Sequence, residues 1–160
     1  MKILYICTHN RCRSILSEAI TNHLAPGQIE ARSAGSQPVG EVHPLSLKYL
    51  QQAAIATDDL RSQSWDEFEV FAPDVVVTVC DSAAAETCPV WFGQAITLHW
   101  GLVDPSKLTG SEQDIAEAFQ QTIAEITQRV QSLLAMPSLV KGNIGDKQAL
   151  RAELIALGSC

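Results

Sequence analysis

The chain has 160 residues, 46% hydrophobic and 18% charged, with a formal net charge of −7. These values predict a single globular domain with a proper core, and no apolar run approaches the roughly 20 residues that a membrane span needs. An acidic balance without any Lys/Arg-rich stripe argues against nucleic acid as a partner.

Ile3–Ile6 reads as a buried strand. Only Lys2 precedes it and the run is too short for a signal peptide, so a cytoplasmic protein is expected. Cysteines stay reduced in that compartment, and five of them argue for chemistry rather than cross-links. The strand leads into Cys7-Thr8-His9-Asn10-Arg11-Cys12-Arg13-Ser14. Five residues between a Cys and an Arg can curl so that the backbone N–H groups point inward. The helix from Ser14 adds its unpaired N–H groups and the positive end of its dipole. Arg13 closes the cradle with a fork suited to two oxyanion oxygens. The same field favours thiolate at Cys7, which places a nucleophile against a phosphate-like anion. A Cys-x5-Arg match alone arises by chance; the strand before it and the helix after it give it weight.

Ser14–Leu24 is a helix with Leu16, Ile20, His23 and Leu24 on one face, ended by Pro26-Gly27. Ile29–Ser33 is a second strand, followed by a loop from Ala34-Gly35. Pro44 opens a helix to about Ala54 with Leu47, Leu50 and Ala54 spaced for burial. Trp65–Glu69 is a short helix. Val75–Val79 is a β-branched run buried on both faces, Ile96–Leu98 a fourth strand, and Ser111–Leu134 a long amphipathic helix facing inward with Ile115, Phe119, Ile123, Ile126, Val130 and Leu133. Alternating strands and helices predict an α/β fold, a four-stranded parallel sheet with helices on both faces. Residues 1–136 form this domain. Residues 137–160, with a helix over Asp146–Leu157, are an appendage packed on it with no assigned chemistry.

Ligands bind such sheets beyond the carboxyl ends of the strands. Cys7, Cys80 and the segment Trp100–Pro105 all fall on that edge. Cys80 and Cys88 are separated by an Ala-rich linker that can be helical or rearrange, so a redox pair explains them better than unrelated thiols. Zinc fits poorly, since ligand pairs usually sit closer and no nearby His completes a site. Asp104, held extended by Pro105, could protonate a leaving oxygen. Histidines 23, 43 and 99 read as structural, and His9 as added positive charge or a spacer.

Through Cys7–Ser14, Ser33-Ala34-Gly35, His43-Pro44, the strand ending at Cys80, Cys88-Pro89 and Trp100–Pro105, the chain resembles the arsenate reductases of the low-molecular-weight tyrosine phosphatase fold, the thioredoxin-coupled type foremost. The resemblance implies a flavodoxin-like three-layer architecture. It implies that Cys7 attacks arsenate held by Arg13 and the loop of Thr8, His9, Asn10, Arg11, Cys12 and Arg13, with Ser14 supporting the thiolate and Asp104 assisting departure of an oxygen. Cys80 then forms a disulfide with Cys7 and releases arsenite; Cys88 forms Cys80–Cys88, which an external thiol reductant, thioredoxin or glutathione/glutaredoxin, resets. No bound cofactor is implied, and phosphate or sulfate could occupy the pocket. Some members bind potassium beside the loop: Asn10, Glu18 and Ser33 match three of its ligands, Trp65 stands where a carboxylate is expected, and no metal is predicted. Cys12 and Cys160 receive no role. The rival is a low-molecular-weight tyrosine phosphatase hydrolysing phosphate monoesters through a Cys7 phospho-enzyme. It needs neither Cys80 nor Cys88, and no tyrosine pair follows Asp104-Pro105 to grip a phenyl ring. A non-enzymatic phosphate-binding or redox-sensing protein would not need Asp104 on the same edge.

Overall fold

The computed structural model describes residues 1–86 and 89–157. Its elements run β1 (Lys2–Ile6), α1 (Arg13–Leu24), β2 (Glu30–Ala34), α2 (Pro44–Gln52), β3 (Val75–Thr78), α3 (Asp81–Ala85), β4 (Ile96–His99), α4 (Glu112–Leu134), α5 (Pro137–Val140) and α6 (Lys147–Ala156), with single 3-10 turns at Trp65–Phe68, Val90–Gln94 and Pro105–Lys107. The four strands form one all-parallel sheet in the order β2-β1-β3-β4. Ile6 is level with both Ala34 and Thr78, and Thr78 with His99. Cys7, Cys80 and Trp100 therefore emerge from the same edge of adjacent strands.

β1 and β3 are apolar on both faces because both are covered; all of Ile3–Ile6 and Val75–Val77 are fully buried. Each such side chain contributes roughly 1.5–3 kcal/mol on leaving water. The β1–α1–β2 connection moves one way across the sheet and the β3–β4 crossover moves the other, so right-handedness puts these two on opposite faces, while α2 of the β2–β3 connection packs back on α1 and α4. The Tyr5 hydroxyl meets Thr21 Oγ1 at 2.8 Å, which marks the α1 face. On the other face, Trp65 of the second crossover packs edge-on against Phe92 of the third, 5.7 Å between centroids.

α1 differs from a one-sided helix: Ser14–Thr21 are buried all round and His23 is exposed, since α1 packs on the sheet, on α4 and on α2. α4 buries Phe119, Thr122, Ile126, Val130 and Leu133, while Ile115 and Ile123 flank that stripe half-buried. α2 stops at Gln52, leaving Ala54 exposed with φ 59°. It buries Tyr49, whose ring stacks on Phe119 at 4.9 Å. α6 lies against β4, and Leu150 and Leu154 join the same buried cluster as the sheet. No helix among the described residues is long and apolar enough to cross a membrane.

Candidate active site

The loop after β1 is shaped by what its carbonyls do. Thr8 O accepts from Gln37 N, His9 O from Val39 N and Ser62 Oγ, and Arg11 O from His43 N and Ser46 Oγ. With the carbonyls tied outward, none of the N–H groups from His9 to Arg13 donates to a protein acceptor among the described residues. They form the anion-receptive rim that also begins α1. Asn10 supplies the reversal, with φ 46°. Its Oδ1 accepts Gln63 N at 2.9 Å and its Nδ2 donates to Ser14 Oγ at 2.8 Å. Asn10 and Ser14, both fully buried, thus brace the loop from behind. Gly35 is compulsory here: a Cβ would stand 2.5 Å from Thr8 O and 2.8 Å from Cys7 O.

A pocket of about 250 Å³ lies inside this loop, lined by Cys7, His9, Arg11, Cys12, Arg13, His43, Asp104, Ser106 and Lys107. Arg13 Nη2 is 3.4 Å from Asp104 Oδ2 and its Nη1 donates to Leu102 O. Its Nε is buried without a hydrogen-bond partner among the described residues, a charged donor awaiting an acceptor. Asp104 Oδ1 accepts from Ser106 N and from Ser106 Oγ at 2.6 Å, so Oδ2 is the oxygen left for the pocket. Burial pushes the Cys12 thiol up to about 11, which keeps it protonated. Ser106, Lys107 and His43 escaped sequence reasoning. Asp-Pro-Ser signals a side-chain-capped turn, but only the tertiary fold brings that turn, and His43 across the loop, to Cys7.

Cys80 follows β3, which pairs with the strand leading into Cys7, and each thiol shifts the ionisation of the other. The ionisation differs from the thiolate expected at Cys7. Its hydrogen bond to Cys80 and its own burial push Cys7 up, outweighing Arg13 and the Thr8 N–H. Cys80 is held below the ordinary thiol range by that bond from Cys7, and by the Ala83 N–H and Thr8 groups. Its Sγ caps α3, 3.4 Å from Ala83 N. The two thiols therefore titrate as a pair, Cys7 pushed up and Cys80 held down by their mutual contact. Thr8 Oγ1 turns from the pocket to Glu86 Oε1 at 2.9 Å, and Asp81 Oδ1 meets His99 Nε2 at 3.0 Å. Cys88 and Cys160 lie outside the described residues.

One turn along α1 from Ser14, the Glu18 carboxyl is buried. Oε1 accepts Ser33 N at 3.1 Å, while Oε2 and the neighbouring Ser33 Oγ have no partner among the described residues. Burial raises its pKa to about 7. Two orphaned oxygens fit a monovalent cation. Asn10 Oδ1 is already taken by Gln63 N, and Trp65 packs on Phe92. Glu18 and Ser33 are the residues that would hold such an ion. Glu18 also lines a cleft of about 930 Å³ with Asp58, Asp59, Arg32 and Arg61. Among the described residues no group of three His, Cys, Asp or Glu could hold a metal.

The model of the low molecular weight phosphotyrosine protein phosphatase family matches residues 2–146. An arsenate reductase of Shouchella clausii is 32% identical over 130 residues, 81% of this chain and 92% of that one. A glutaredoxin arsenate reductase of Synechocystis is 27% identical over 134 residues, 84% of this chain and 96% of its own. Among solved structures, an arsenate reductase in the phosphate binding state superposes with a TM-score of 0.70 at 27% identity, covering 84% of this chain and 96% of that one.

Proposed function

We propose that this chain, which belongs to the low molecular weight phosphotyrosine protein phosphatase family, reduces arsenate to arsenite. The observation that carries the reading is a second thiol, Cys80, set at the end of the strand beside that of Cys7, which lines an oxyanion pocket. A phosphatase uses Cys7, Arg13 and Asp104 and leaves Cys80 without a task.

Arsenate enters as the dianion, its oxygens received by the Arg13 fork and the free loop N–H groups. Cys7 sulfur bonds to arsenic. Its proton leaves with a departing oxygen as water, handed on by Asp104, so Cys7–S–AsO₃²⁻ forms without change of charge. Ser14, whose Oγ is held by Asn10 Nδ2, takes in this reading the role of hydrogen-bond donor to the Cys7 sulfur. Cys80, whose thiol is held below the ordinary range, attacks Cys7 sulfur as the thiolate; the S–As electron pair returns to arsenic, which leaves as arsenite after protonation by water. The resulting Cys7–Cys80 disulfide passes to Cys80–Cys88 by attack of Cys88, freeing Cys7. An external dithiol, thioredoxin or glutaredoxin with glutathione, then restores the thiols in the reducing cytoplasm. The naming of a Synechocystis relative as a glutaredoxin arsenate reductase supports a dithiol partner of this class. Residues 1–136 carry the chemistry in this reading, and residues 137–160 serve as a packed extension. If potassium binds, Glu18 and Ser33 hold it and its charge steadies the loop through Asn10.

The test is arsenite production by the wild type, Cys80→Ser and Cys88→Ser, each with thioredoxin and thioredoxin reductase and, separately, with glutathione and glutaredoxin. Both variants should lose multiple turnover. Full turnover by Cys80→Ser would sink the relay and favour phosphate-ester hydrolysis. Activity of Cys88→Ser with glutaredoxin alone would show that Cys88 is bypassed.

A further inference from the structure

His43 was read as a structural residue, yet it lines the Cys7 pocket. One ring nitrogen is committed: Nδ1 accepts the Leu45 N–H at 3.1 Å, capping α2. That bond requires an unprotonated Nδ1, so neutral His43 carries its hydrogen on Nε2. The ring is fixed on three sides, by the cap, by its own backbone N–H on Arg11 O at 2.9 Å, and by the Phe119 ring at 6.5 Å. Burial, with the Arg11 charge, lowers its pKa against the pull of Asp104, in keeping with the neutral tautomer. Nε2 has no hydrogen-bond partner among the described residues. Capping alone does not call for an imidazole, since Asn, Asp or Ser cap better with less bulk. The second nitrogen is what histidine adds, and the residue that carries it lines a pocket shared with Cys7, Arg13 and Asp104.

We propose that His43 is a substrate-binding residue whose Nε2–H donates to an oxygen of the oxyanion seated on the Cys7 loop, selecting a free tetrahedral anion over an esterified one. This rests on the oxyanion reading of the Cys7 pocket but not on the disulfide relay. His9, Arg11 and Lys107 complete a rim of N–H donors with no Phe, Tyr or Trp among the pocket's lining residues. An ester group turned toward that rim would displace the Nε2–H contact with nothing apolar to gain. A free oxyanion offers an acceptor there.

Inorganic phosphate is the probe, titrated by calorimetry into the reduced full-length protein. His43→Asn retains the cap through its side-chain oxygen but lacks the reach to the pocket. It should bind phosphate about tenfold more weakly, the value of one charge-assisted hydrogen bond at the low end, with an unchanged Tm. The KM for arsenate should rise by a similar factor with kcat little altered. In wild-type protein with ¹⁵N-labelled histidine, phosphate should shift the His43 Nε2 resonance and leave Nδ1 as an unprotonated acceptor. Phosphate binding within twofold of wild type in the variant, or an Nε2 signal unmoved by saturating phosphate, overturns the proposal while leaving the Cys7 site intact. Failure of the wild type to bind phosphate at all overturns both.

Discussion

Replacing Glu18 with Gln isolates the energetic consequence of a buried carboxyl group. Its pKa is raised from 4.5 to about 7 by burial, against the opposing pull of Arg32 and the Ser33 N–H. The folded state therefore holds this proton more tightly than the unfolded chain. The associated stability is complete below about pH 4.5 and is lost as the pH rises through about 7. Each pH unit of difference is worth about 1.4 kcal/mol, so wild type should lose about 2–3 kcal/mol between pH 5 and pH 8 relative to a side chain that does not titrate. Glu18→Gln keeps the acceptor for Ser33 N and offers an amide to the orphaned Ser33 Oγ. Urea denaturation of the reduced protein in buffers whose only cation is tetramethylammonium gives the comparison. The two proteins should lie close together at pH 5, and the variant should be the more stable at pH 8. Adding potassium at pH 8 should recover stability for the wild type alone, because only a carboxylate at Glu18 gains from the ion. Parallel curves for the two proteins from pH 5 to pH 8 without potassium would refute this account of Glu18.

Three further outcomes are expected. Gly35→Ala forces a methyl onto Thr8 O and Cys7 O, so it should cost roughly 1–3 kcal/mol in urea unfolding and abolish phosphate binding by calorimetry. Arg13→Lys keeps the charge but loses the fork and the unpartnered Nε. Phosphate affinity should fall roughly 100-fold, two charge-assisted bonds at about 1.5 kcal/mol each. Cys80→Ser removes the neighbour that most raises the Cys7 thiol; the pH midpoint for Cys7 alkylation by iodoacetamide, followed by mass spectrometry, should move down. An upward shift would contradict Cys80 as the cause that raises the Cys7 thiol.

The sheet was legible because its strands are short apolar runs between breakers, and parallel pairing follows from their alternation with helices. Cys7, Cys80 and Asp104 could be placed on one edge from strand ends alone. The loop's receptivity, in contrast, depends on five distant groups that hold its carbonyls, and no local pattern encodes those partners. Val90–Gln94, Pro105–Lys107 and Pro137–Val140 span one turn or little more, too short for a periodicity to declare itself. α3 stood between helix and mobile linker on composition; Cys80 as its cap is a tertiary outcome. The upward push on the Cys7 thiol is not legible in sequence, because the helix dipole and Arg13 are visible there but the second thiol beside it is not. His43 was passed over for a related reason. A cap explains one ring nitrogen, and only the fold reveals where the other stands.

The sulfur that caps α3 is also the one assigned the second attack, so a five-residue helix has its fastening tied to an electron count. A thiolate accepts the Ala83 N–H well; a disulfide sulfur accepts it poorly, and so short a helix has little stability of its own. Oxidation at Cys80 thereby subtracts a local constraint at the moment when the next thiol must approach. The Ala83 amide becomes a native gauge of the cycle: slow to exchange with deuterium while Cys80 is reduced, faster once its sulfur is spent in a covalent bond.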